Sequence, residues 1–157
     1  MSRCYTTFTK GVIDSDAAFA LFCFLRDGIE WEEGVRSKLG YTRKAKPLNF
    51  GDFPEIDTAI IQALQSIEAT TGTRYAVLYI YLNYYEDGNM WCPNHNHPGT
   101  HQMVISLGGT RTLHVAKKEY PMKNGDAIVF GSAIHGVPKD SSKEGRIAIA
   151  TFMKPRK

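Results

Sequence analysis

Three of the five histidines in this chain crowd into the stretch Asn94-His95-Asn96-His97-Pro98-Gly99-Thr100-His101. Residues at i and i+2 of an extended segment point to the same side, so His95 and His97 can reach one metal ion together. A third ligand must come from a neighbouring strand, and His135, just beyond a strand candidate at 126–130, is placed to supply it. Two histidines and a carboxylate on one face of a metal, with open positions opposite, are the signature of non-haem iron oxygenases. Three imidazoles would equally suit zinc, copper or nickel. The alternative is a loop whose histidines are merely exposed. His101 and His114 read as structural, His101 entering a strand beside Gln102 and His114 alternating with Leu113 and Val115.

Two further groups bear on a small polar ligand. Asn83 and Tyr85 are again i and i+2 on a strand, so both can hydrogen-bond a molecule lying over the sheet. Arg146 shares its strand face with Ala148 and Ala150, while Ile147 and Ile149 face the other way. A guanidinium beside two small inward residues has room in front of it, and burying it is costly unless an anion, best a bidentate carboxylate, meets it. The competing reading pairs Arg146 with Asp126 or Glu144.

The elements that would position these groups change character along the chain. Asp14 or Ser15 can cap a helix whose apolar positions are Ala18, Phe19, Phe22 and Leu25. Pro54 suits the first turn of a second helix with the stripe Ile56, Ile60, Leu64 and Ile67, and Gly72 suits its end. From Tyr75 the composition turns to aromatic and β-branched residues, giving strand candidates at 75–85, 102–107, 111–116, 126–130 and 146–152. Helices followed by short strands predict an α+β chain, a β-sandwich or jelly roll with the helices packed on one face.

Bulk properties fit a soluble protein. The 157 residues, 43% hydrophobic and 22% charged, are read as one domain over 1–157. Nineteen basic against sixteen acidic residues leave a charge of +3, compatible with a DNA or RNA partner without demanding one. Cys4, Cys23 and Cys92 form no disulfide framework, no apolar run is long enough to span a membrane, and the first residues lack a secretory core. An intracellular monomer, cytoplasmic or nuclear and without a membrane partner, is the expectation.

The order of these pieces resembles the AlkB-like Fe(II)/2-oxoglutarate-dependent dioxygenase family. The likeness runs through Leu82-Asn83-Tyr84-Tyr85-Glu86-Asp87-Gly88, His95-Asn96-His97, Ile105-Ser106-Leu107-Gly108, the stretch Asn124 to Gly131, Ile134-His135-Gly136-Val137-Pro138, and Arg146-Ile147 to Thr151-Phe152. Upstream, Thr42-Arg43-Lys44 and Phe50-Gly51-Asp52 are similar to a segment preceding that family's substrate side. The resemblance implies a double-stranded β-helix, His95 and His135 as iron ligands, and 2-oxoglutarate held by Asn83, Tyr85 and Arg146. With dioxygen, such a site yields succinate and hydroxylates a substrate C–H bond; in base-repair members the bond lies in an N-linked methyl of a nucleic-acid base.

The sequence departs from that pattern where it matters most. His97 stands where the family has aspartate, so a three-histidine site would carry one negative charge fewer. Pro98-Gly99-Thr100 replaces acidic residues that help read a base, and Met153-Lys154 replaces a second arginine. Arg43, Lys44 and Lys46 could face a phosphate backbone or only solvent, and Phe50 or Trp91 could stack on a base or belong to the core. Three functions follow: oxidation of a nucleic-acid base, the same chemistry on a protein side chain or small metabolite, or an inactive protein that still binds metal and ketoacid.

Overall fold

Alternation of side chains along the strands builds two antiparallel sheets and assigns each face a different partner. In the computed structural model, which describes residues 6–37 and 40–156, the order is β1 (Thr7–Thr9), α1 (Ser15–Gly28), β2 (Glu32–Ser37), β3 (Gly40–Leu48), α2 (Pro54–Thr71) and β4 (Tyr75–Tyr85). There follow β5 (Cys92–His95), β6 (His101–Gly108), β7 (Arg111–Val115), β8 (Lys118–Met122), β9 (Ala127–Phe130), β10 (His135–Val137) and β11 (Arg146–Pro155). The large sheet runs β1-β9-β6-β11-β4-β3-β2 and the small one β5-β10-β7-β8. Cys4 lies outside the described residues.

The large sheet is covered on both faces. Ile80, Leu82, Ile105, Leu107, Ile147 and Ile149 point outward to the helices and form one core with Phe22, Leu25, Ile56 and Ile60. The intervening residues of the same strands, among them Tyr85, Val104 and Ala148, point inward and meet Leu113, Val115 and Val137 of the small sheet. Double coverage explains why β6 is buried without a break over 102–107 rather than at alternate positions. The architecture is the expected jelly roll with helices on one face.

The helices form as their caps dictate. The Asp14 side chain accepts from the Ala17 backbone N–H, and Gly72 closes α2 in the left-handed conformation at φ 74°. Within α1 the buried face is Ala18, Leu21, Phe22 and Leu25; Phe19, expected inside, is 54% exposed because the helix turns its Leu21 edge to the sheet instead. The leading helices are also not consecutive, since β2 and β3 lie between them. The charged stretch around Thr42-Arg43-Lys44 gives little strand signal, because its core-facing side chains are few and Pro47 interrupts it.

Candidate metal centre

His95 closes β5 and His135 opens its own short strand β10, rather than trailing β9, and the antiparallel register sets the two residues directly opposite each other. Their rings lie 4.3 Å apart, and His97, two residues on, lies 4.8 Å from His95 and 5.5 Å from His135. One ligand atom from each of the three falls within 4.8 Å of the others, so a single ion is within their common reach. Gly136 permits this approach: a Cβ there would strike the Asn94 side chain and the Cys92 carbonyl of β5. Beyond His97 the chain turns back tightly, with the Thr100 hydroxyl donating to the His97 carbonyl at 3.1 Å.

Hydrogen bonds fix the ring tautomers. The Nδ1 of His95 lies 2.7 Å from the Pro93 carbonyl, and that of His135 lies 2.9 Å from the Ala133 carbonyl. A carbonyl only accepts, so Nδ1 carries the proton in both neutral rings and Nε2 keeps its lone pair. His135 is 4% exposed and its Nε2 has no hydrogen-bond partner. Burial lowers its pKa to about 4, with His95 and His97 adding to the effect and the Ala133 carbonyl opposing it. Burial, then the charges of His95 and Arg43, also lowers His97. A buried lone pair without a donor costs on the order of 1–3 kcal/mol, which a metal ion would remove. The donor set therefore fits a metal.

A cavity of about 390 Å³ opens beside the trio, between the two sheets. Asn83, Tyr85 and Arg146 all line it, because Arg146 pairs with Tyr85 and Ala148 with Asn83 across β11 and β4. Arg146 is 1% exposed. Its Nε donates to the Ser106 hydroxyl at 2.8 Å, its guanidinium lies 5.4 Å from the Tyr85 ring centre, and its Nη2 has no partner. The expected carboxylates are elsewhere: Asp126 accepts from the backbone N–H groups of Gly11 and Lys123, and Arg146 forms no ion pair with Glu144. Burial pushes the Tyr85 phenol up to about 12, so it remains a hydrogen-bond donor at neutral pH.

Other residues around the cavity carry little sequence signal. Arg43 faces it and donates through Nε to the Asn83 side-chain oxygen at 2.6 Å, whereas Lys44 pairs with Glu86 at 3.1 Å. Lys44 and Lys46 stand opposite Tyr84 and Leu82 in the register, on the other face from Arg43, so the three cations do not form one row. Tyr79 and Tyr81 also line the cavity. The ring of Tyr79 stacks on Phe152 at 4.5 Å, and Phe152 stands edge-on to His97 at 4.9 Å. Trp91 instead meets Lys139 outside the cavity, and His114 pairs with Glu119 at 3.6 Å. Arg111, as buried as Arg146, donates to the carbonyls of Asp87, Met90 and Pro138 and pairs with Asp140, which ties together the loops behind Tyr85.

A family model described as a cupin domain matches residues 84–150. No curated protein matches the chain. Among solved structures, the epimerase SnoN from nogalamycin biosynthesis, in complex with iron(III) and α-ketoglutarate, is similar with a TM-score of 0.76 at 11% identity, covering 96% of this chain and 79% of that one. HygX from Streptomyces hygroscopicus, with nickel and 2-oxoglutarate bound, gives 0.72 at 11% identity, covering 96% and 82%. The viral collagen prolyl hydroxylase of Paramecium Bursaria Chlorella virus-1 gives 0.68 at 14% identity, covering 95% and 96%. At these identities the likeness shows the fold, a double-stranded β-helix common to all four chains.

Proposed function

We propose that this chain is an iron(II)- and 2-oxoglutarate-dependent oxygenase of the AlkB-like kind, with His95, His97 and His135 as metal ligands. The observation that carries the reading is a pair of buried, unpartnered atoms of opposite demand in one cavity: the Nε2 lone pair of His135 and the Nη2 donor of Arg146. A metal held by His135 would take up the first, and a carboxylate of a ketoacid held by Arg146 would take up the second. The bound metals and ketoacids of SnoN and HygX support this assignment.

Each residue then has a task set by its surroundings. Arg146, steadied by Ser106, takes the distal carboxylate in a bidentate pair. The Tyr85 phenol and the Asn83 amide are placed to donate hydrogen bonds along the same molecule. The walls at Val104, Leu113 and Val137 exclude water from the polar contacts and so strengthen them. With iron and ketoacid in place, the site supplies oxidative decarboxylation coupled to hydroxylation of a substrate C–H bond. His97 leaves the centre one negative charge short of the usual ligand set.

For the substrate, the placement of cations favours a small metabolite over a nucleic-acid base. Half or more of the hydrogen bonds in protein–DNA contacts go to phosphate and sugar, and a row of exposed cations would be needed to make them. Here Arg43 turns into the cavity and Lys44 is paired to Glu86.

The test is an anaerobic titration of apo-protein with iron(II) and 2-oxoglutarate, followed by admission of oxygen and a succinate assay. A visible charge-transfer band followed by succinate is expected. A folded protein with neither band nor succinate would overturn the enzyme reading. A band without succinate would identify an inactive metal- and ketoacid-binding protein.

A further inference from the structure

The cavity holds more positive charge than one ketoacid can neutralise. Among the described residues no aspartate or glutamate lines it, while Arg43 and Arg146 both do. Two guanidiniums and a divalent ion make four positive charges, and 2-oxoglutarate cancels two of them. The charge that a carboxylate ligand would normally supply is missing because position 97 is histidine.

Arg43 is the cation left over. Its Nε donates to Asn83 and its Nη1 donates to the Thr42 hydroxyl at 3.0 Å, both neutral acceptors. Among the described residues, no carboxylate lies within ion-pair distance of it. Its position is fixed from behind, since the Trp91 N–H donates to the Thr42 carbonyl at 2.6 Å and so ties β3 to the start of β5. Arg43 lines the same cavity as His97 and Arg146, and its field reaches His97 as well as Tyr85 and Cys92. Next to His97 lies the flat Tyr79–Phe152 stack, and Ala148 and Ala150 leave space over the sheet between the stack and Arg146.

We propose that Arg43 seats a carboxylate of the substrate, so that this protein oxidises a small organic acid whose planar apolar portion rests on Tyr79 and Phe152. The assignment rests on the oxygenase reading and narrows it to a substrate class. Fixed guanidinium and aromatic wall together discriminate an organic acid from its neutral isostere, because a lost charge-assisted hydrogen bond costs roughly 10- to 100-fold in affinity.

The experiment uses full-length protein loaded with nickel(II), with and without saturating 2-oxoglutarate, titrated calorimetrically with benzoate, benzamide and phenyl phosphate. Benzoate is expected to bind at least tenfold more tightly than benzamide or phenyl phosphate. Arg43→Gln should abolish that preference while 2-oxoglutarate affinity stays within about threefold; its benzamide and 2-oxoglutarate binding report that the cavity is intact. Arg146→Met should do the reverse. The proposal is overturned by equal or undetectable binding of benzoate and benzamide, by tighter binding of phenyl phosphate, or by an Arg43→Gln variant that keeps the preference. It is also overturned if Arg43→Gln weakens 2-oxoglutarate as much as Arg146→Met does, since Arg43 would then hold the ketoacid. Benzoate preference that depends on Arg43 in a protein unable to bind 2-oxoglutarate would sink the oxygenase reading and leave the anion seat standing.

Discussion

Replacing Arg146 by methionine is expected to make the apo-protein more stable and at the same time nearly blind to 2-oxoglutarate. The wild-type guanidinium is 1% exposed, has one hydrogen bond to Ser106, rests against the Tyr85 ring and leaves Nη2 unpartnered. Apolar replacement of buried charges at similar volume typically stabilises by about 1–4 kcal/mol. Losing the Ser106 bond offsets about 1 kcal/mol of that. The net gain is roughly 0–3 kcal/mol; at about 2–4 °C per kcal/mol for a chain of this length, the melting temperature rises by up to about 12 °C. For the ligand, two charge-assisted hydrogen bonds at about 1.5–3 kcal/mol each make the loss roughly a hundredfold to ten-thousandfold. Thermal unfolding of nickel-loaded protein over a 2-oxoglutarate series reads both quantities, because a ligand present at about a hundred times its Kd raises stability by about 2.7 kcal/mol. A variant that melts several degrees lower, with 2-oxoglutarate affinity within threefold of wild type, would refute the reasoning.

Arg111→Met is expected to act in the opposite direction although Arg111 is equally buried. It strips charged donors from three backbone carbonyls, at about 1–3 kcal/mol each, a loss of roughly 3 kcal/mol or more readable as a lower urea midpoint. His135 gives the apo-protein an acid-sensitive stability. Its folded pKa, about 4, lies below the ordinary 6.5, so the contribution is complete above pH 6.5 and is lost as pH falls toward 4. At 1.36 kcal/mol per pKa unit the loss is about 3 kcal/mol, and urea midpoints across that range should flatten in His135→Gln. Gly136→Ala pushes β10 away from β5, which should destabilise the fold by about 1–3 kcal/mol and weaken nickel binding, measured by calorimetry.

What the sequence made legible follows from period and spacing. The i, i+2 pairs His95/His97 and Asn83/Tyr85, and the Arg146-Ala148-Ala150 face, needed only strand alternation to be placed on one side, and all of them border one cavity. The strand 75–85 was readable to its ends because it is rich in aromatic and β-branched residues and holds no glycine or proline. The segments that escaped notice are those whose partners are remote. β2 and β3 are charged, with Pro47 inside β3, and they become strands through the pairing of β3 with β4 and of β2 with β3 rather than through propensity. Arg43 therefore looked like a loop cation, and only the register of Ala45 with Asn83 shows which way it points. Tyr79 and Tyr81 failed to stand out for the opposite reason: in a tyrosine-rich strand, composition does not distinguish a ligand wall from core.

The histidine at position 97 and the guanidinium of Arg43 are consistent with each other once they share a cavity. Losing the carboxylate at position 97 alone would leave the centre short of one negative charge; keeping Arg43 unpaired beside it deepens that shortage. Among the described residues no acid meets Arg43, and Glu86 pairs with Lys44 on the other face of β3. Arg43 is half-buried and held by the neutral side chains of Asn83 and Thr42 alone, so an anion entering the cavity meets a fixed guanidinium. The missing charge therefore belongs to the substrate, and an imidazole at position 97 leaves Arg43 free to receive it, where an aspartate would compete for the same guanidinium.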